Sequence, residues 1–309
     1  MILQVLFKLS IIFLILSCTS LFAFAEQSNN EQSANKEQSA NKDKTAKQNT
    51  NNVPLPIALD QQYKTDLKHY LPSTKVKPIL VGAQEYITLV NESTSPNSKG
   101  VTILIPDWQQ GAVNPKAINF LRKSLPKQGW TTISVQPNAK PDNYPSTALK
   151  LATQREENQK IIDNYKNNFS TMIETLSNKA QEYPGIVIMI AQGNHGVILL
   201  DVIESNASLQ TPSAVILLSS YPLTGQRLLD EDSSKFAKVL ANSEMPILDL
   251  YLKYDNATVI DKAPQRLAAA KQEMKVYYRQ RQLNNTAVGF YPEQVLLTTI
   301  NSWLKSIGW

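Results

Sequence analysis

Few side chains in this sequence could do chemistry, and the most suggestive group lies between two apolar runs. Residues 186–191 form the first apolar run. The tetrapeptide Gln-Gly-Asn-His follows and ends at His195, and residues 196–200 form the second apolar run directly after it. The pattern predicts a buried strand, a sharp turn and a helix whose first N–H groups could hold an oxyanion. The turn itself contains no Ser, Cys or Asp that could act as a nucleophile.

The chain contains two histidines, His69 and His195. Two are too few for a multi-histidine metal site, and we expect neither a metal nor another cofactor. His195 begins the predicted helix, where the positive end of the helix dipole favours the neutral imidazole. It is therefore a candidate general base, and the alternative is a packing or capping residue.

Three further candidates lie just after predicted strands. Asp255 follows a strand that ends at Leu252, and it is either a catalytic acid or an ordinary surface-turn residue. Ser219 and Ser220 follow the strand 214–218, and either hydroxyl could serve as a displaced nucleophile. Serines at a strand end also satisfy loop or cap hydrogen bonds, so both interpretations stay open.

These residues need a scaffold of alternating strands and helices. Continuous apolar runs such as 101–105 are typical of strands buried on both faces of a parallel sheet. The predicted fold class is α/β, a doubly wound, mostly parallel sheet with sites at the strand C-terminal ends. Little or no lid is expected, because residues 221–245 leave room for one helix. The predicted strands are 85–90, 101–105, 131–135, 186–191, 214–218, 246–252 and 275–279, and the predicted helices are 114–129, 161–180, 196–205, 262–270 and 294–307.

The N-terminal residues indicate a targeting segment and a spacer. Residues 1–25 combine one positive charge, an apolar run and a final Ala-Phe-Ala, which is typical of a secretory signal peptide cleaved after Ala25. A lipoprotein anchored at Cys18, the single cysteine, is the alternative. Residues 26–52 are polar and balanced in charge, which predicts a disordered low-complexity linker. A domain at 53–309 would then be periplasmic or secreted.

The charge of the chain points to no nucleic-acid partner. The formal net charge is +5 over 309 residues, and the Lys and Arg residues are dispersed. Their densest cluster is predicted to be a solvated basic face. After removal of the signal peptide, no run approaches the roughly 20 apolar residues of a membrane span. The basic cluster comprises Lys271, Lys275, Arg279 and Arg281.

Four short stretches carry a family resemblance through their order and spacing. They are Ile105-Pro106-Asp107, Gln128-Gly129-Trp130, Ala191-Gln192-Gly193 and Ser302-Trp303-Leu304. With these stretches the chain resembles the α/β-hydrolase superfamily and, within it, the uncharacterised bacterial domain-of-unknown-function family 3530. The resemblance covers residues 80–309.

The resemblance implies roles for individual residues. It places Gly193 at the nucleophile position, where this fold commonly has a positive φ. In an alternative register Asn194 lies there, and neither glycine nor a carboxamide can attack an acyl carbon. The resemblance also makes Asp255 the acid. Asp107 and Trp108 become the oxyanion-loop candidates, where many hydrolases have His-Gly. The family's histidine should follow the last strand, but no His occurs beyond position 195.

We therefore expect an exported α/β-hydrolase-like protein without a Ser-His-Asp triad, acting as a binding or envelope-associated module. A small-molecule or envelope ligand would meet a rim formed by the loops at Asp107, Gly193 and Tyr221. The alternative is an esterase-like hydrolase in which His195 and Asp255 activate water. A nucleotide-dependent enzyme ranks last, because the sequence has neither Gly-x-Gly-x-x-Gly nor a Gly-Lys-Ser/Thr phosphate loop.

Overall fold

The computed structural model describes residues 56–223 and 229–309. The predicted signal peptide, the predicted linker and the alternative anchor at Cys18 lie outside these residues. Within them, no helix is long and apolar enough to cross a membrane.

The centre of the domain is a sheet of eight strands. They are β1 (Val76–Val81), β2 (Gln84–Asn91), β3 (Gly100–Ile105), β4 (Trp130–Gln136), β5 (Ile186–Gln192), β6 (Ala214–Leu218), β7 (Ile247–Leu252) and β8 (Tyr278–Leu283). Their order across the sheet is β1-β2-β4-β3-β5-β6-β7-β8. β2 pairs antiparallel with β1 and β4, and all other neighbours are parallel. The predicted mostly parallel sheet is confirmed.

Helices cover both faces of this sheet. They are α1 (Leu59–Tyr70), α2 (Ile118–Ser124), α3 (Leu151–Ala180), α4 (Asn194–Ser205), α5 (Leu229–Asn242), α6 (Ala257–Gln272) and α7 (Glu293–Ser306). Alternate strand residues enter opposite apolar cores, so Met189 of β5 joins one core and Ile190 the other. α3, α4 and α5 complete the first core, whereas α2 and α7 complete the second. The helices cover the faces of the sheet, so the connecting loops lie at the ends of the strands.

Two N-terminal elements, α1 and β1, carry too weak a signal to be predicted. α1 is mostly polar, and Leu67 is its one buried residue, so it lacks a clear apolar stripe.

The helix predicted from residue 114 begins later, at Ile118. Asn114 instead forms part of a turn, because its side chain accepts the Lys116 N–H at 2.7 Å and donates to Gln192 at 2.8 Å.

The last strand is displaced from its predicted position at 275–279. α6 runs longer than predicted, and after it the Lys275 N–H still bonds back to the Ala270 carbonyl oxygen at 2.9 Å. Met274 has φ 50° at this helix end. The backbone therefore becomes a strand only at Tyr278. β8 is a polar edge strand, which gives it a weaker apolar pattern than the buried strands.

Candidate functional site

The strand-to-helix turn predicted at Gly193 is present. β5 ends at Gln192 and α4 begins at Asn194, so Gly193 is the only connecting residue. Its backbone has φ 60° and ψ −133°, and a conformation of this kind costs a residue with a side chain about 1–3 kcal/mol. The Gly193 N–H donates to the Leu218 carbonyl oxygen at 2.8 Å, which ties the turn to the end of β6. The expected positive φ is confirmed.

The side chain of Asp107 occupies the space beside this turn. β3 and β5 pair in parallel with Ile105 opposite Ala191, so Asp107 and Gly193 each lie two residues beyond a matched pair. Asp107 is 7% exposed, and its Oδ1 accepts the Asn194 N–H at 2.9 Å. A Cβ atom added to Gly193 would lie 2.6 Å from Asp107 Cγ, closer than van der Waals contact allows. A side chain at position 193 and the observed Asp107 carboxyl group therefore exclude each other.

Backbone donors from two loops converge on this carboxyl group. The N–H groups of Trp108 and Gln109 follow Asp107 in the chain and, with that of Asn194, favour its charged form. Burial raises the pKa of Asp107 above its ordinary 3.8, whereas these N–H groups and the charge of Lys116 oppose the rise. In α/β-hydrolases the oxyanion hole combines the N–H after the nucleophile with an N–H from the loop after β3. Here the corresponding donors hold a carboxyl group of the chain itself.

Tyr221 lies beside the same turn. The Asn194 side chain donates to the Tyr221 carbonyl oxygen at 2.8 Å, so the start of α4 holds the chain that leaves β6. Burial, followed by the charges of Asp107 and Asp255, raises the pKa of the Tyr221 phenol to about 12. The structure thus brings together the loops at Asp107, Gly193 and Tyr221.

A second polar cluster joins Ser219, Asp255 and Tyr291 at the ends of β6 and β7. The Ser219 hydroxyl donates to Asp255 Oδ2 at 2.5 Å and lies 2.6 Å from the Tyr291 phenol oxygen. Asp255 also accepts the Leu252 N–H at 2.9 Å. Ser219 has φ 49°, which is uncommon for a serine. Two residues singled out from the sequence, Ser219 and Asp255, are therefore in direct contact.

Tyr291 is the member of this cluster that the sequence analysis missed. It lies between β8 and α7, in the connection where the family resemblance places a histidine. Burial raises the pKa of its phenol well above the ordinary 10, so the group is not a base near neutral pH. The available signal was an aromatic hydroxyl directly before Pro292, at the start of the last helix.

His195 is a core residue, and it is not paired with Asp255. Its Nε2 lies 2.8 Å from the Tyr165 hydroxyl, and its Nδ1 bonds to the Pro106 carbonyl oxygen. The rings of Tyr165 and Phe169 stack on it, with centroids at 5.9 and 4.9 Å. Burial lowers the pKa of His195 to about 4. Both ring nitrogens are engaged, so the arrangement expected for activating water with Asp255 is absent.

Ser220 and Trp108 are also buried. A Cβ atom on Gly196 would collide with the Ser220 hydroxyl, which has no hydrogen-bond partner among the described residues. The Trp108 ring packs edge-on against Tyr144 and Tyr165, with centroids 5.7 Å away in both cases. Within the described ranges, no three His, Cys, Asp or Glu side chains are grouped to hold a metal ion.

Replacing Gly193 by Ala should destabilise the domain through both backbone strain and contact with Asp107. Gly82 is a matched control, because it has φ +59° and a Cβ there would meet nothing within 4 Å. We expect Gly82→Ala to lower the free energy of unfolding by about 1 kcal/mol and Gly193→Ala by about 2–4 kcal/mol. Chemical denaturation measures both values.

The double variant Asp107→Ala/Gly193→Ala isolates the contact. With Asp107 shortened, the Gly193→Ala change should cost less than it does beside Asp107, since the carboxyl group no longer obstructs the new Cβ. Equal costs in the two backgrounds would contradict the observed position of Asp107.

The buried His195 should make stability depend on pH. Its pKa is lowered to about 4 from 6.5, so between these values the unfolded chain binds the extra proton and stability falls as the pH decreases. The loss should approach about 3 kcal/mol at pH 4. His195→Gln should remove this part of the slope, whereas His69→Gln, at an exposed position of α1, should keep it. Urea denaturation from pH 4 to 7 tests this, and an unchanged slope in His195→Gln would refute it.

Solved structures similar to this chain are α/β-hydrolases at low sequence identity. Dienelactone hydrolase from Anabaena variabilis is 12% identical with a TM-score of 0.50, and the match covers 75% of this chain and 98% of that one. Esterase 2 of Thermogutta terrifontis phosphorylated by paraoxon is 12% identical with a TM-score of 0.54, covering 77% and 98%. At such identity the likeness shows the fold alone.

Sequence comparison adds the family. No curated protein matches the chain. Residues 7–180, more than half of the sequence, match the family described as "Protein of unknown function (DUF3530)". The resemblance stated from the sequence is thereby confirmed. The chain belongs to this family of unknown function, and its described domain has the α/β-hydrolase fold.

Proposed function

We propose that this protein is an exported α/β-hydrolase-like binding module that does not catalyse acyl transfer. The observation that carries the proposal is the Asp107 carboxyl group, which accepts the Asn194 N–H and abuts Gly193. An acyl oxyanion would need this same donor. The signal-like pattern of residues 1–25 supports export to the periplasm or the exterior.

Triad catalysis needs a nucleophile, a base and free oxyanion donors, and each requirement counts against it here. Gly193 has no side chain to attack a carbonyl carbon. The connection after β8, where the resemblance places the base, contributes the phenol of Tyr291, which is not basic near neutral pH. An incoming oxyanion would have to displace the Asp107 carboxyl group, which already accepts the Asn194 N–H. These three points together support the proposal of a degenerate triad.

One of the similar solved structures is a reactive esterase, which contrasts with the role proposed for this chain. Thermogutta terrifontis esterase 2 is described as phosphorylated by paraoxon, which is a reaction of that protein. We propose that this chain has kept the fold and lost the reactivity. Its ligand, a small molecule or an envelope component, would be bound and released unchanged.

A second candidate function, an esterase-like hydrolase, rests on the Ser219–Asp255 hydrogen bond. The Ser219 hydroxyl has a carboxylate acceptor at 2.5 Å, and its positive φ is of the kind found at strained functional residues. Against this candidate, the hydroxyl has no imidazole partner among the described residues, and the Asp255 carboxylate already accepts the Leu252 and Asn256 N–H groups.

Labelling with a fluorophosphonate probe distinguishes the two candidates. The purified protein should not be labelled and should not hydrolyse p-nitrophenyl acetate above the rate of buffer, with an active serine esterase as the positive control. Ser219→Ala and Ser220→Ala should behave like the unmodified chain. Stoichiometric labelling that maps to Ser219 and disappears in Ser219→Ala would refute the non-catalytic proposal and establish the hydrolase.

A further inference from the structure

A large cavity lined by described residues lies away from Gly193. It has a volume of about 1180 Å³ and extends between α1, the hairpin of β1 and β2, the loop after β3, and α2. Clefts of this size hold small organic ligands. It adjoins the turn described above, because Gln110 and Asn114 of its wall bond to each other, and Asn114 also bonds to Gln192 at 2.8 Å.

Cationic side chains dominate the charged part of this cavity. Only two acidic residues, Asp66 and Glu92, share its wall. Lys179 is already paired with Glu182 at 3.3 Å, whereas the others have no ion-pair partner among the described residues. The cationic residues are Lys75, Lys77, Lys116, Arg122, Lys123 and Lys179.

Arg122 is the buried member of this set. It is 4% exposed, its Nη2 donates to Asn119 Oδ1 at 2.9 Å, and its Nε has no partner among the described residues. Burial lowers the pKa of its guanidinium from the ordinary value, so the fold bears a desolvation cost here. The other buried arginine, Arg266, differs because it is bonded to Asp249 at 2.7 Å. An unpaired buried guanidinium beside a cavity is a site that an anion would complete.

The uncharged part of the wall combines amide and hydroxyl side chains with apolar and aromatic ones. Leu67 and Tyr70 come from α1, Leu71 follows that helix, and Val113 comes from the loop after β3. Tyr70 is 76% exposed, so a large ring borders the opening. This apolar and aromatic part of the wall suits a hydrocarbon or aromatic body better than a fully hydrated ion.

The chain's own linker does not fit this cavity. Residues 26–52 contain four acidic and four lysine residues and therefore carry no net charge. A segment of balanced charge offers no excess of anions to a cationic cavity. The occupant indicated by the charges is a separate, negatively charged molecule.

We infer that the cavity between α1 and α2 binds an amphipathic anion, with its phosphate or carboxylate head at Arg122 and its apolar body along Leu67 and Val113. Arg122 would supply an N–H donor and charge to the head, and Lys116 and Lys123 would add further charge. The inference rests on the proposed binding role and gives its ligand a chemical class and a location.

Calorimetric titration of the purified protein tests the inference. The probes are dodecyl phosphate below its micelle concentration, inorganic phosphate for the head alone, and dodecyl maltoside for an uncharged amphiphile. Dodecyl phosphate should bind at least about tenfold more tightly than inorganic phosphate, because buried methylenes add affinity. Dodecyl maltoside should bind no more tightly than inorganic phosphate.

Variants assign the head group to Arg122. Arg122→Gln should weaken dodecyl phosphate binding by about tenfold or more. The double variant Lys116→Gln/Lys123→Gln should weaken it severalfold, and it keeps the test valid if Arg122→Gln does not fold. Lys127→Gln, an exposed lysine outside the cavity wall, removes one charge as a control and should leave binding unchanged.

Three results would overturn the inference. Dodecyl phosphate could bind the wild type and the cavity variants equally tightly. Dodecyl maltoside, or inorganic phosphate, could bind the wild type as tightly as dodecyl phosphate does. None of them bears on fluorophosphonate labelling, so failure of the anion site would leave the non-catalytic proposal intact. Conversely, a labelled Ser219 would refute that proposal without affecting the titration.

Discussion

The contact between Asp107 and the turn at Gly193 is the constraint on which the account depends. One carboxyl group accepts the Asn194 N–H at 2.9 Å and fills the space into which a side chain at position 193 would project. Glycine is required at the turn both for its backbone conformation and for this contact. A nucleophile could not be restored there by substitution at position 193 alone, because Asp107 would have to move as well.

The sheet register explains how the two loops meet. β3 and β5 are neighbours, and the pairing of Ile105 with Ala191 carries the loop after β3 to the strand-to-helix turn. On the other side of the turn, β6 and β7 bring Ser219 and Asp255 together, and Tyr291 closes the cluster from the last connection. The fold thus retains the geometry that gathers catalytic groups in hydrolases, while the residues gathered there bond mainly to one another.

Much of this could be predicted from sequence, because the relevant signals are local. Runs rich in apolar, β-branched and aromatic residues identified six of the eight strands. The step from residue 191 to residue 196 identified the turn, and the family resemblance added its positive φ. Ser219 was recognised as a candidate from its place after a strand, whereas Asp107 and Asp255 were recognised through the family resemblance. Their partners were not predictable in the same way, since a hydrogen bond between residues 107 and 194 depends on strand order and register.

The misses have physical causes of the same kind. α1 buries only Leu67, so no apolar period marks it, yet it forms a wall of the cavity of about 1180 Å³. His195 looked like a possible base because a helix entry favours the neutral ring, but its stacking on Tyr165 and Phe169 depends on the packing of α3 against α4. Tyr291 replaces an expected histidine with a different chemical group, which a search for histidine could not detect.

The most direct measurement is a high-resolution crystal structure of the ligand-free protein, with attention to the density at Asp107. The account predicts the Asp107 carboxyl group within hydrogen-bond distance of the Asn194 N–H, with no room for a water molecule between it and Gly193. An Asp107 side chain turned away, with ordered water on the Asn194 N–H, would contradict the account, because the oxyanion donors would then be free.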